Sequence, residues 1–199
     1  MPRQSARAAA ATRTAIVDAA VSQASTDGLE AVTIGKLAGR LDMSKAGVIG
    51  PFGSKEALQL AAIEAANATF RREVWEPAAE AEPGLERMTA IADAWLSYLE
   101  RGVFPGGCFL TAAAAEFDGR TGPVRDAIQG ALSLWLSVLE NEVRIAIERG
   151  EVPKDVDPGQ VAFEFNAIAA GVNQALQLET DPDAVERGRR AMRRALTAP

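Results

Sequence analysis

The chain of 199 residues contains no histidine and a single cysteine, Cys108. The first absence removes Ser-His-Asp and Cys-His nucleophilic chemistry, histidine-based metal sites and the commonest general base. The second excludes an internal disulfide and any multi-cysteine zinc site. Carboxylates are plentiful, yet no Asp/Glu pair sits in a recognisable cleft signature. An enzyme is therefore disfavoured, and neither cofactor nor metal is expected. Although 48% of the residues are hydrophobic, no apolar run approaches the length that spans a bilayer. The opening "MPRQSARAAAATRTA" has arginines and only four consecutive alanines, too short and too weakly apolar for the core of a secretory signal. It reads as a flexible basic arm leading into a helix, and the chain as a cytoplasmic protein without a membrane partner.

The net charge of −6 conceals a split. Through Lys55 there are seven Lys/Arg against four acids, giving +3, and the remainder holds fourteen against twenty-three, giving −9. What matters for nucleic acid is the field near the phosphates, not the total. A basic front on an acidic body is compatible with DNA binding without demanding it.

Hardly any stretch alternates apolar with polar residues, whereas helical spacing recurs throughout, so the fold is predicted to be all-α. Ile16, Ala20 and Ala24 share one face of a first helix that stops near Asp27-Gly28. Thr33 can cap a second helix carrying Ile34, Leu37, Ala38 and Leu41. Asp42-Met43 forms a tight turn, Ser44 caps a third helix, and Gly50-Pro51 ends it. Ser54 caps a fourth helix, predicted to run to Trp75 with Pro77 just beyond. Further helices are predicted over about 85–100, 109–117, 124–149, 160–178 and 184–196. The 160–178 segment is apolar nearly all round, with Val161, Phe163, Phe165, Ile168, Val172 and Leu176. Such a helix is buried on several sides, by a second copy or at the centre of a monomeric bundle.

Two helices joined by a short turn, the second opening on small, polar and basic residues, form a helix-turn-helix. Only the first turn of the second helix must reach base edges in the major groove, so the short element starting at Ser44 suffices. Ala46 and Gly47 let its backbone approach closely. Ser44-Lys45 and Ser54-Lys55 each combine a hydroxyl, free backbone N–H groups and a cation at a helix start, a combination suited to phosphate. Thr33, Ser44 and Ser54 serve equally as ordinary N-caps. Lys36 and Arg40 read as solvated charges, and Val48 and Phe52 as core. Arg3, Arg7 and Arg13 belong either to an arm near the minor groove or to a disordered tail.

The pattern "TRTAIVDAAVSQASTDGLEAVTIGKLAGRLDMSKAGVIGPFGSKEAL" resembles the DNA-binding end of the tetracycline-repressor (TetR) family of bacterial transcriptional regulators. The likeness covers about residues 12–58 through "IVDAA", Gly28, Thr33, "LAGRL", "SKAGV", Phe52 and "SKEAL". "FPGGCFLTAAAAEFDGRTGPVRDAI" also looks like the effector-domain signature of one subgroup of that family. The resemblance implies an N-terminal three-helix DNA-binding domain over 1–55 and a C-terminal helical effector-binding and dimerisation bundle over 56–199. It places Thr33 and Lys55 on phosphates and Ser44, Lys45 and Ala46 in the groove of double-stranded DNA, beside Gly47. Where members commonly carry Tyr followed by a polar residue, this chain has Ile49, Gly50 and Pro51. An aromatic hydroxyl on the DNA backbone is thereby lost, and Ile49 is placed to pack on a thymine methyl.

In the larger part the resemblance implies a pocket for a small apolar or aromatic effector. Trp95, Tyr98, Phe109, Phe117 and Trp135 are candidates for its walls, with Thr111, Asn166 and Asn173 for polarity; each aromatic reads equally as bundle core. Val161, Phe165, Ile168, Val172 and Leu176 are candidates for a homodimer interface. Cys108 reads as a small buried hydrophobe, and the five arginines of "ERGRRAMRRAL" as the wet face of a docked helix. The expected function is a repressor released from a palindromic operator by its effector. The alternative is an all-helical dimeric ligand-binding or scaffold protein that has lost DNA reading.

Overall fold

The computed structural model describes residues 2–179 and 181–197, with the side chains of residues 2–5 and 179 outside the description. In chain order the helices are α1 (Pro2–Asp27), α2 (Ile34–Leu41), α3 (Lys45–Ile49), α4 (Lys55–Phe70), α5 (Glu76–Ala79), α6 (Leu85–Glu100), α7 (Phe109–Phe117), α8 (Pro123–Glu148), α9 (Pro158–Gln174) and α10 (Ala184–Ala195). Single π-helical turns follow α4 at Arg71–Trp75 and α9 at Ala175–Glu179. The described residues contain no strand and no helix long and apolar enough to cross a membrane.

Two expectations are corrected. The opening segment is helical from Pro2 onward, continuous with the first helix, rather than a flexible arm. Alanines dominate it, and alanine has the highest helix propensity. Arg7 and Arg13 are exposed on that helix, while the side chain of Arg3 lies outside the described residues. Pro77 does not follow the end of the fourth helix but stands inside α5. Proline lacks an N–H and its ring collides with the preceding turn; the widened π turn at Arg71–Trp75 immediately precedes it and carries the chain past that collision.

The chain divides into two compact units. The first comprises residues 1–68 and 104–129. In it α1 packs on α2, α2 on α3, and α7 on α1, over a core that includes Ile16, Ala20, Leu29, Leu37, Val48 and Leu58. Gly106 lies so close to the end of α1 that a Cβ there would stand 1.6 Å from the Ser25 carbonyl oxygen. Only glycine fits that position.

The second unit comprises residues 69–103 and 130–199. Here α6 packs on the Arg71–Trp75 turn, α5, α9 and α10, and α9 packs on α10. Gly188 of α10 admits a close approach, since a Cβ on it would meet Val172 Cγ2 at 2.5 Å and Leu96 Cδ2 at 3.0 Å. Glu142 is a buried acid of this unit; it accepts from Gly84 N at 3.0 Å and pairs with Arg87 at 3.3 Å.

Candidate nucleic-acid interface

The reading element is assembled by local hydrogen bonds. Thr33 Oγ1 accepts from Lys36 N at 3.3 Å and so starts α2. Asp42 closes α2 in the left-handed region at φ 51° and turns the chain toward Ser44. The Ser44 Oγ then accepts from Gly47 N at 3.0 Å, and the Ser54 Oγ does the same for Ala57 N at 3.0 Å. Each hydroxyl satisfies one of the amides that a helix start leaves without a partner.

Burial decides which way α3 faces. Val48 is fully buried and anchors the helix, whereas Ser44, Lys45 and Ala46 are exposed and Gly47 and Ile49 are half-buried. The tip of α3 is therefore open to solvent, with one cation on it. Lys45 has no carboxylate partner among the described residues, unlike Lys36 and Lys55.

Lys36 pairs with Asp27 at 3.2 Å, and Arg40 donates to Ser22 Oγ at 3.1 Å. The Arg13 guanidinium stands 5.1 Å from the centroid of the half-buried Phe52 ring. Lys55 Nζ lies 2.7 Å from the Glu30 carbonyl oxygen and 3.1 Å from Glu30 Oε1. The same carboxylate accepts from Gln59 at 3.3 Å and pairs with Arg120 at 3.4 Å. Hydrogen bonding by Lys55, then Gln59, holds the Glu30 carboxyl below the usual glutamate range. Lys36, then Gln23 and Thr26, does likewise for Asp27.

Residues absent from the sequence reading complete this unit. The turn between α1 and α2 exposes two amide donors, and Glu116 of α7 accepts both, Leu29 N at 2.7 Å and Glu30 N at 3.0 Å. Arg120 donates to the Glu116 carbonyl at 3.1 Å and covers Phe117 at 4.6 Å. Nothing local in the sequence couples Glu30 to Glu116. The one available signal is a lone acid in the apolar run "TAAAAEF".

The aromatic residues proposed as pocket walls fall into different units. Trp95, Tyr98 and Trp135 are buried together in the second unit, where Phe70, missed from sequence, makes edge-to-face contact with all three. Asn166 and Asn173, both half-buried, lie in that unit as well. Phe109 and Phe117 are buried, and Thr111 half-buried, in the first unit. Of the stripe proposed for dimerisation, Val161, Phe165 and Val172 are buried within the chain's own bundle, and Ile168 and Leu176 are half-buried. The accessible face of that segment instead carries Phe163 and Leu178, 65% and 75% exposed, with Ala167 and Gly171 exposed between them.

Comparison with known proteins finds relatives along nearly the whole chain. A family described as "Bacterial regulatory proteins, tetR family" matches residues 16–62, and "Tetracyclin repressor-like, C-terminal domain" matches residues 84–192. No curated protein matches the chain. Among solved structures, a TetR transcriptional regulator from Chloroflexus aurantiacus is similar at 24% identity and TM-score 0.86, covering 94% of each chain. A regulatory protein TetR from Rhodobacter sphaeroides is similar at 22% identity and TM-score 0.79, over 92% of this chain and 98% of that one. AibR, solved in complex with isovaleryl coenzyme A and operator DNA, is similar at 22% identity and TM-score 0.75, over 94% of this chain and 99% of its own.

Proposed function

Since the chain belongs to the tetracycline-repressor (TetR) family of DNA-binding transcriptional regulators, which are not enzymes, we propose that it is a cytoplasmic homodimeric repressor. A small apolar or aromatic effector releases it from a palindromic operator. One observation carries the reading: α3 is anchored by the buried Val48 while Ser44, Lys45 and Ala46 at its tip stay exposed. The tip enters the major groove, Gly47 lets the backbone come close, and Ile49 packs on a thymine methyl. Thr33 and Lys55 grip phosphates on either side. A dimer presents two such tips about one DNA turn apart, ~34 Å.

The second copy docks on the accessible face of α9 and the turn after it, where Phe163 and Leu178 flank the small residues Ala167 and Gly171. Small side chains there let two helices approach closely. The solved AibR complex, holding both an acyl-coenzyme A and operator DNA, shows that a chain of similar fold accommodates both kinds of partner. An effector acts here by favouring a spacing of the two reading helices that fits the operator poorly.

Footprinting and gel-shift assays on the DNA upstream of the chain's own gene test the reading. Salt-sensitive, palindrome-selective binding is expected. Retained dimerisation without such binding would replace it with the alternative, a dimeric ligand-binding or scaffold protein.

A further inference from the structure

The second unit contains an aromatic cluster with an unsatisfied demand. The Phe70 ring stands edge-to-face against Trp95, Tyr98 and Trp135, with centroids 5.6, 5.5 and 5.0 Å away. Trp95 and Trp135 meet each other at 5.4 Å and 82°. Both tryptophans are buried, and neither indole N–H has a hydrogen-bond partner among the described residues. Buried donors ordinarily find acceptors, and a donor left without one costs free energy. A phenyl ring offers such donors at best a π face, a second-order interaction. Two orphan donors against one phenyl ring make Phe70 a poor permanent occupant of that space.

The position of Phe70 allows it to leave. Of the four rings it alone is half-buried. It closes α4 directly before the Arg71–Trp75 π turn. Such turns hold a spare residue of backbone and concentrate at functional sites; returning this one to α geometry rotates Phe70 relative to the cluster.

The charge of an incoming molecule is also constrained. Glu142 is the only Asp, Glu, Lys or Arg buried among the described residues, and it is already committed to Gly84 N and Arg87. A charged ligand would lose its water without gaining a counter-ion.

The geometry points to this cluster as a ligand site for an uncharged, ring-sized molecule bearing a hydrogen-bond acceptor (a ketone, ester or lactone), which displaces the Phe70 ring and accepts from Trp95 Nε1 and Trp135 Nε1. The inference rests on the reading of the chain as an effector-responsive regulator and names the effector's chemical class.

The test uses the full chain, 15N-labelled at its tryptophans, titrated with acetophenone, with the isosteric hydrocarbon α-methylstyrene and with benzoate. Of the three indole N–H signals, the two that Trp95→Phe and Trp135→Phe assign move downfield with acetophenone, as a new hydrogen bond requires; Trp75 lies in the rearranging π turn and is not used as the readout. α-Methylstyrene binds at least about tenfold more weakly, the scale of one or two lost hydrogen bonds, and benzoate does not bind. Phe70→Ala, which vacates the occupied space, tightens acetophenone by about tenfold or more, as apolar cavities made by truncation take up aromatic ligands. Equal affinity for ketone and hydrocarbon overturns the inference. So does the absence of any response at both indoles in the native chain and in Phe70→Ala. Operator binding measured alongside separates the two readings. Acetophenone engaging both indoles without loosening DNA leaves the site standing and removes the effector role. Release by α-methylstyrene as effective as by acetophenone does the reverse.

Discussion

The carboxylate of Glu116 bridges two consecutive amides, with Oε2 2.7 Å from Leu29 N and Oε1 3.0 Å from Glu30 N. It does for the α1–α2 turn what an N-cap does for a helix, from a residue on α7. Glu116→Ala leaves both donors without a protein acceptor, and the half-shielded Leu29 amide bears most of the loss. A destabilisation of about 1–3 kcal/mol is expected in urea or thermal unfolding. Glu116→Gln should fall between the two, since its amide oxygen serves one donor while its NH2 group opposes the other. Equal stability of all three proteins would mean that water replaces the carboxylate at no cost.

Lys55 has two claims on it. In the free chain its ammonium is held by the carbonyl and the carboxylate of Glu30, whereas the proposed complex gives it to a phosphate. Lys55→Ala should weaken binding to specific and random DNA alike. It should also lower the slope of log K against log salt by roughly 0.9 per contact. Glu30→Gln, which removes the competing charge, should strengthen binding to both. An unchanged salt slope in Lys55→Ala would show that the lysine serves the turn alone.

What the sequence disclosed and what it withheld divide by range. The starts of α2, α3 and α4 were legible because Thr33, Ser44 and Ser54 bond amides three residues ahead, an interaction written in the local pattern. The exposed tip of α3 follows from the same pattern once Val48 is taken as its anchor. Pro77 misled because proline ordinarily stops a helix, and nothing local announces a π turn that lets it pass. Glu116 and Phe70 were invisible for a different reason. Their partners lie far along the chain, and an alanine run or a helix end looks alike with or without them. The 160–178 segment showed apolar residues all round, but periodicity does not say which side the chain keeps for itself.

Acid should loosen the first unit before it reaches the core. Asp27 and Glu30 have pKa values below their ordinary ones because Lys36 and Lys55 favour the ionised carboxylates. A lowered folded-state pKa contributes stability that is complete above the unfolded value. It is lost as pH falls through the folded one, below about pH 4.3 for a glutamate. Comparing the native chain with Glu30→Gln tests this: the native chain should melt higher at neutral pH, and the gap should narrow as the pH falls below the ordinary glutamate range. A gap that persists unchanged in acid would assign the effect to packing of Glu30 rather than to its charge.

Phe163 and Phe165, two residues apart on α9, should respond in opposite ways. Phe165 is fully buried within its own chain, while Phe163 is 65% exposed. Phe165→Ala removes a core ring and should cost about 3–5 kcal/mol of folding stability, whether or not a second copy is bound. Phe163→Asp removes no intrachain packing of comparable size, so the fold should survive with an unchanged helical signal. If two copies meet on the face with Ala167, Gly171 and Leu178, a carboxylate there must be desolvated without a partner and the dimer should dissociate. Sedimentation would then report monomers, and operator affinity should collapse because the two α3 tips no longer engage both half-sites as one linked unit. A Phe163→Asp protein that sediments as the native chain does would move the interface off α9 altogether, and Leu134 on α8, exposed to 69%, would be the next apolar residue to probe.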